Sequence, residues 1–171
     1  IINIPLLRLK YTDEEIKFIQ DGVKDILKSG YLTMGSKVKE FEEEFSNFIS
    51  SKYAVAVNSG TSSLEIPLRA LGVYNKTIIV PTITFMATPL AVIHAGAKVI
   101  FVDVIPENLS IDPDDLRRKI TNDTAGIILV HIGGIISPQL QEIEKICKEN
   151  GLFLIEDAAH AHGSTINGKK A

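Results

Sequence analysis

A chain of 171 residues, 45% of them hydrophobic, suits one domain, or most of one, and can bury a sizeable core. A formal net charge of -3 and a pI of about 5.8 exclude the strong positive field that nucleic-acid binding calls for. No apolar run approaches the ~18–20 residues of a membrane span, so neither nucleic acid nor membrane is an expected partner.

The single cysteine, Cys147, excludes an intramolecular disulfide. It follows Ile143 and Ile146 at helical spacing and reads as a small buried hydrophobe. With no signal peptide in sight, the expected setting is the reducing cytoplasm. The chain opens on Ile-Ile-Asn without Met and stops at Gly168-Lys169-Lys170-Ala171 with no closing element, so residues are expected to be missing in front and behind.

Residues 3–9 read as an extended lead-in. Thr12 with Glu15 three residues on forms a capping box, and acids at 13–15 suit the positive end of a helix. Ile16, Ile19, Val23, Ile26 and Leu27 recur at helical spacing, and Ser29-Gly30 ends that helix. Tyr31 to Gly35 is a loop. A second helix puts Val38, Phe41, Phe45, Phe48 and Ile49 on one face. The charges at 37, 39, 40 and 42–44 form its solvated face.

From Tyr53 the pattern becomes strand and helix in alternation. Strands are expected at Tyr53–Val57, Thr77–Val80, Lys98–Val102, Ala125–His131 and 152–156. Helices are expected at Leu64–Leu71, where Pro67 costs a hydrogen bond unless it lies in the first turn, and at Phe85–Ala95. A short helix is opened by Asp112-Pro113, and a longer one runs from Ser137-Pro138 to Asn150 with Gly151 as its stop. The fold class is therefore α/β: a doubly wound, mostly parallel sheet with helices on both faces.

Three motifs fall at the carboxyl ends of strands, where open parallel sheets bind ligands. Ser59-Gly60-Thr61-Ser62-Ser63 combines a close-approach glycine, hydroxyls and a helix N-terminus, which suits a phosphate; an ordinary Ser/Thr cap is the equal alternative. It is neither a Walker loop nor G-x-G-x-x-G, which disfavours nucleoside triphosphates and NAD. Phe85, in Pro81-Thr82-Ile83-Thr84-Phe85-Met86-Ala87-Thr88, could stack on a planar ligand, although a lone Phe is more often core. Asp157 closes the last strand among small residues, in a position to meet a ligand or merely to cap the next helix.

His131, after another strand, either positions something or is a hydrogen-bonded structural histidine. His94, His131, His160 and His162 show no metal spacing, and no metal is expected; Asp157 with His160 and His162 is the one set that could in principle ligate one. A phosphorylated aromatic cofactor with a basic ring nitrogen would use all three motifs, and pyridoxal phosphate is one such cofactor.

The ordered set of motifs resembles the N-terminal part of the DegT/DnrJ/EryC1/StrS family of pyridoxal-phosphate sugar aminotransferases. It runs from Ser29–Gly35 through Val38–Phe45, Asn58–Leu64, Pro81–Thr88, Gly96-Ala97, Val102–Val104 and Val130-His131 to Glu156–Gly163. The resemblance implies the large, cofactor-holding domain of fold type I enzymes, incomplete. In it, 1–52 forms N-terminal helices, 53–171 the sheet core, and the small C-terminal domain is absent.

It further implies that Gly60 and Thr61 hold the cofactor phosphate, Phe85 stacks on the pyridine, Asp157 pairs with the ring nitrogen as the catalytic acid, and His160 contacts the cofactor. Tyr31, Met34 and Gly35 would lie near the substrate entrance. The implied partners are a nucleotide-linked keto-sugar, glutamate as amino donor, and a second copy in a homodimer. The catalytic lysine of the family falls in a later segment. Lys169 and Lys170 match the family's Gly-Lys turn instead, so the chain alone is expected to be inactive. Tyr74-Asn75-Lys76-Thr77 replaces the usual Gly-Asp-Glu-Val, altering a surface turn. A dehydratase or desulfurase-like relative, or a non-catalytic regulatory or binding module, are the alternatives.

Overall fold

The computed structural model describes residues 8–171; most of the lead-in expected at residues 3–9 lies outside them. Helix α1 (Asp13–Ser29) starts as its sequence dictates. Thr12 Oγ1 accepts from Glu15 N at 3.2 Å while Glu15 Oε2 accepts from Thr12 N at 2.7 Å, and Gly30 closes the helix in the left-handed conformation. Its apolar stripe finds no core: Ile16, Ile19, Val23 and Leu27 are exposed, and no residue of α1 is buried.

Helix α2 (Ser36–Ile49) carries Phe41, Phe45 and Phe48 in a tilted aromatic row. It is tied to the segment 53–57, where Glu42 Oε1 accepts from Ala56 N at 2.8 Å. That segment is a correction to the expected strand. Ala54 and Ala56 are half-buried and their neighbours exposed, in strand-like alternation, but among the described residues no backbone pairs with it, and a side chain satisfies its amide instead.

Four strands, not five, form the main sheet: β1 (Thr77–Pro81), β2 (Lys98–Val102), β3 (Thr124–Val130) and β4 (Phe153–Asp157), all parallel in the order β2-β1-β3-β4. Side chains alternate between two cores. Ile78, Val80, Ile128 and Val130 pack against Leu64 and Leu68 of α3 (Gly60–Ala70) and Ala91 and Val92 of α4 (Ala87–His94). Ile79, Ile127 and Leu129 pack on the other face against Leu116 of α5 (Pro113–Lys119) and Ile143, Ile146 and Cys147 of α6 (Leu140–Asn150). Helices thus cover both faces of a parallel sheet, and the strand order reverses between β1 and β3, so the crevice opens at their carboxyl ends. Burial in α6 pushes the Cys147 thiol up to about 11.

Several boundaries move for local reasons. Helix α3 begins at Gly60 rather than Leu64 because Ser59 caps it, which leaves Pro67 in the helix interior. Helix α6 begins at Leu140 because Ser137 Oγ accepts from Gln139 N at 3.2 Å and holds 137–139 as a turn. Gly126 is required by packing: a Cβ there would fall 2.2 Å from the Phe153 ring of the paired strand.

Asp115 of α5 accepts from Asp103 N at 2.8 Å and meets Lys119 at 2.7 Å and Arg118 at 3.0 Å; these hold its carboxyl down at about 2. An unanticipated hairpin closes the described chain: β5 (Thr165–Ile166) and β6 (Lys169–Lys170), joined by Asn167-Gly168, both at positive φ. This is the Asn-Gly signature of a tight hairpin turn. Lys170 Nζ lies 3.4 Å from the Phe48 ring centroid and donates to Phe48 O, tying the hairpin to the end of α2.

Candidate functional site

The carboxyl end of β4, the N-terminal end of α3 and the turn leading into α4 surround an open cleft of about 800 Å³. Gly60, Thr61, Phe85, Asp157 and His160 all line it. Tyr31, Met34 and Gly35 do not. Tyr31 and Gly35 border a separate groove between α1 and α2, and Met34 is 93% exposed.

At the start of α3, Ser59 takes up two amides: its Oγ accepts from Ser62 N at 3.2 Å and its carbonyl from Ser63 N at 3.0 Å. The N–H groups of Gly60 and Thr61 find no acceptor among the described residues. A Cβ built on Gly60 would meet nothing within 4 Å. Both readings of this motif therefore hold together: Ser59 is the cap, and the two amides ahead of it remain free at the positive end of an 11-residue helix. That arrangement suits an anion such as a phosphate.

Asp157, half-buried at the end of β4, is held from two sides. Oδ1 accepts from Ala159 N at 3.2 Å, closing a turn. Oδ2 accepts from Thr88 Oγ1 at 3.1 Å, and Thr88 Oγ1 accepts in turn from Thr84 Oγ1 at 2.8 Å. The capping alternative is met only in part, since turns rather than a helix come after Asp157. An ionised carboxylate has about four acceptor positions. Two are taken, which leaves capacity for a donor from the cleft.

Phe85 is 77% exposed, so its ring is not a core residue and offers a free face to the cleft. It belongs to the same turn as Thr88, whose amide donates to Phe85 O at 3.0 Å.

His160 Nδ1 accepts from Gly133 N at 3.2 Å, so a neutral ring carries its proton on Nε2 and is a donor there. The approach of the turn 132–134 to this loop depends on Gly134, which has φ 82; a Cβ there would lie 2.8 Å from His160 O.

His131 is the structural histidine. It is 1% exposed, Nδ1 accepts from Ser137 N at 3.2 Å, and Nε2 meets Glu156 Oε2 at 2.8 Å. Thr84 and Thr88, whose hydroxyls lead to Asp157, were not singled out by the sequence, which carries no periodic signal for them because Thr84 lies in the bend before α4 and only Thr88 within it. Phe45, whose ring meets His162 edge-on at 5.9 Å, also borders the cleft, and nothing in its amphipathic pattern pointed there. Among the described residues no cluster of three or more His, Cys, Asp or Glu side chains could hold a metal, and no helix is long and apolar enough to cross a membrane.

The family model described as the DegT/DnrJ/EryC1/StrS aminotransferase family matches residues 13–171. The chain is 39% identical over 153 residues to a UDP-4-amino-4,6-dideoxy-N-acetyl-beta-L-altrosamine transaminase of Campylobacter jejuni, covering 88% of this chain and 40% of that protein. Among solved structures, NtdA of Bacillus subtilis with bound cofactor PMP matches with TM-score 0.87 at 35% identity, covering 94% of this chain and 37% of that one. A GDP-4-keto-6-deoxymannose-3-dehydratase with a trapped PLP-glutamate geminal diamine matches with TM-score 0.87 at 33% identity, covering 99% and 44%. The chain spans less than half the length of the curated relatives it matches.

Proposed function

The chain belongs to the DegT/DnrJ/EryC1/StrS aminotransferase family, and from that premise we propose that it is the cofactor-holding part of a pyridoxal-phosphate enzyme that aminates a nucleotide-linked keto-sugar with glutamate as donor. Residues 1–171 then make up part of the large domain. The observation that carries this reading is the gathering in one cleft of two free helix-end amides, an exposed aromatic face and a carboxylate with spare acceptor capacity. That donor set fits the cofactor's phosphate, flat ring and basic nitrogen one for one.

Gly60 and Thr61 hold the phosphate through their N–H groups, helped by the helix dipole. Phe85 covers one face of the ring and excludes water from it. Asp157 keeps a proton on the ring nitrogen by pairing with it. His160 contributes a hydrogen-bond donor from the same cleft. When bound, pyridoxal phosphate supplies a protonated pyridine that takes up the electron pair released beside the amino nitrogen.

Tyr31, Met34 and Gly35 lie away from the cleft of their own chain, so we assign their substrate role to a homodimer, in which the loop serves the neighbouring subunit's entrance. The exposure of Tyr31, Leu32 and Met34 supports a contact surface there. Sugar 3-dehydration on the same cofactor is the second reading, supported by a dehydratase that matches this chain as well as NtdA does.

The test is a titration of the longer protein with pyridoxal phosphate, followed by its incubation with glutamate and a keto-sugar nucleotide. Saturable cofactor binding that Asp157→Ala weakens, with an amino sugar as product, supports the proposal. A deoxygenated sugar without new nitrogen supports dehydration instead, and no cofactor binding by the unmutated longer protein refutes both.

A further inference from the structure

We infer that Thr88 is a positioning residue that aims the Asp157 carboxylate, and that it is the element through which the aromatic face and the acid of the cleft are kept in register. The inference rests on the proposed function, because it concerns how this chain grips a cationic ring nitrogen.

Asp157 stands on an edge strand of the sheet, and among the described residues its only other side-chain partner is an amide of the turn just after it. Thr88 comes from α4, 69 positions earlier in the chain, and is 0% exposed. A hydroxyl has one proton to give and can accept from others. An ionised Asp157 can only accept, so Thr88 must donate to Oδ2, which leaves its oxygen to accept from Thr84 Oγ1 at 2.8 Å, a shorter contact than that hydroxyl's alternative acceptor, Phe85 O at 3.4 Å. The charge on Asp157 thereby sets the direction of the whole chain: Thr84 to Thr88 to Asp157. Both hydroxyl dipoles point at the carboxylate, and one oxygen is fixed by a group that is itself fully packed.

The second consequence is geometric. Thr88 N donates to Phe85 O at 3.0 Å, so the residue that holds the acid also closes the turn that presents the ring. A ligand that stacks on Phe85 and ion-pairs with Asp157 reads two groups set by one turn of backbone. Valine at 88 keeps the shape and removes the proton. Oδ2 then loses its donor, Thr84 Oγ1 is left with Phe85 O at 3.4 Å as its acceptor, and the carboxylate is left to the turn at Ala159. Serine keeps the proton.

The experiment measures dissociation constants of pyridoxal phosphate, and of its 1-deaza analogue with carbon in place of the ring nitrogen, for the longer protein in its wild-type form and as Thr88→Val and Thr88→Ser. The quantity read is the preference for the nitrogen-bearing ligand, which cancels any general loosening of the cleft. Wild type should prefer pyridoxal phosphate. Thr88→Val should cut that preference about tenfold, the size of one charge-assisted hydrogen bond, and Thr88→Ser should keep it within about twofold.

A Thr88→Val variant that loses affinity for both ligands equally, or for neither, overturns the inference. A wild-type longer protein that binds the cofactor but does not distinguish the two ligands overturns the role of Asp157 and this inference with it, and its failure to bind either ligand overturns the proposed function. If Thr88→Val does not fold, Thr84→Val takes its place: it removes the hydroxyl that orients Thr88, and an undiminished preference there also counts as refutation.

Discussion

Asp115→Asn tests the energetics of the scaffold that brings the cleft together. Asp115 is 5% exposed and accepts from Asp103 N, the amide just past the end of β2, while Lys119 and Arg118 contribute ion pairs. The backbone bond is the largest cause of its lowered pKa, which falls from 3.8 to about 2. A carboxyl held below its unfolded value stabilises the fold above that value and loses the contribution as pH falls through the folded one. A displacement of nearly two units at about 1.4 kcal/mol each corresponds to about 2 kcal/mol.

Asparagine can still accept from Asp103 N but carries no charge. Urea unfolding monitored by circular dichroism should therefore find Asp115→Asn less stable than wild type by about 2 kcal/mol at pH 7. The gap should hold down to about pH 5 and shrink from there to a small remnant at about pH 2, the folded value. A gap of the same size at pH 2.5 and pH 7 would refute the reasoning, since it would make the loss one of packing and not of charge.

Asp157→Ala in the longer protein should abolish sugar transamination while Asp157→Glu keeps a little, read by amino-sugar product; near wild-type turnover in Asp157→Ala would sink the assigned role. The Cys147 thiol, raised to about 11 by burial, should resist iodoacetamide at pH 8 in the native chain and react once urea unfolds it; equal rates in the two states would show it to be accessible. Gly134→Ala puts a Cβ 2.8 Å from His160 O at positive φ. It should lower stability by about 1–3 kcal/mol in chemical denaturation and weaken cofactor binding by displacing His160. An unperturbed variant would show that the two loops are free to separate.

Much of the fold was legible from local pattern because it rests on local physics. The capping box at Thr12 and Glu15, the Asp112-Pro113 start and the glycine stops at 30 and 151 are contests between a few neighbouring groups, and the structure keeps them all. The central strands β1 and β3 could be read because burial on both faces needs a continuous apolar run, and the edge strands β2 and β4 carry similar runs although they are partly exposed among the described residues. Tyr53–Val57 has strand composition too, but a strand is a relation between two backbones, and no periodicity in one segment reveals whether a partner lies beside it. The hairpin at Asn167-Gly168 was the reverse case: its turn signature is strong, while its strands are too short to show a period.

For the site, residue types and their places at strand ends picked out the Ser59–Ser63 turn, Phe85 and Asp157 as candidates beside structural alternatives, because the chemistry of a phosphate, a ring and a basic nitrogen restricts which side chains can serve, while the family resemblance was needed to choose among those readings and to add His160. Only the tertiary structure decided that Gly60, Thr61, Phe85, Asp157 and His160 line one cleft while Tyr31 and Gly35 border another groove and Met34 stands in solvent, that His131 is occupied with Glu156, and that Thr88 reaches Asp157. Those facts depend on the order β2-β1-β3-β4, which sets α4 against the end of a strand far away in sequence, and a chain read one residue after another does not contain that distance.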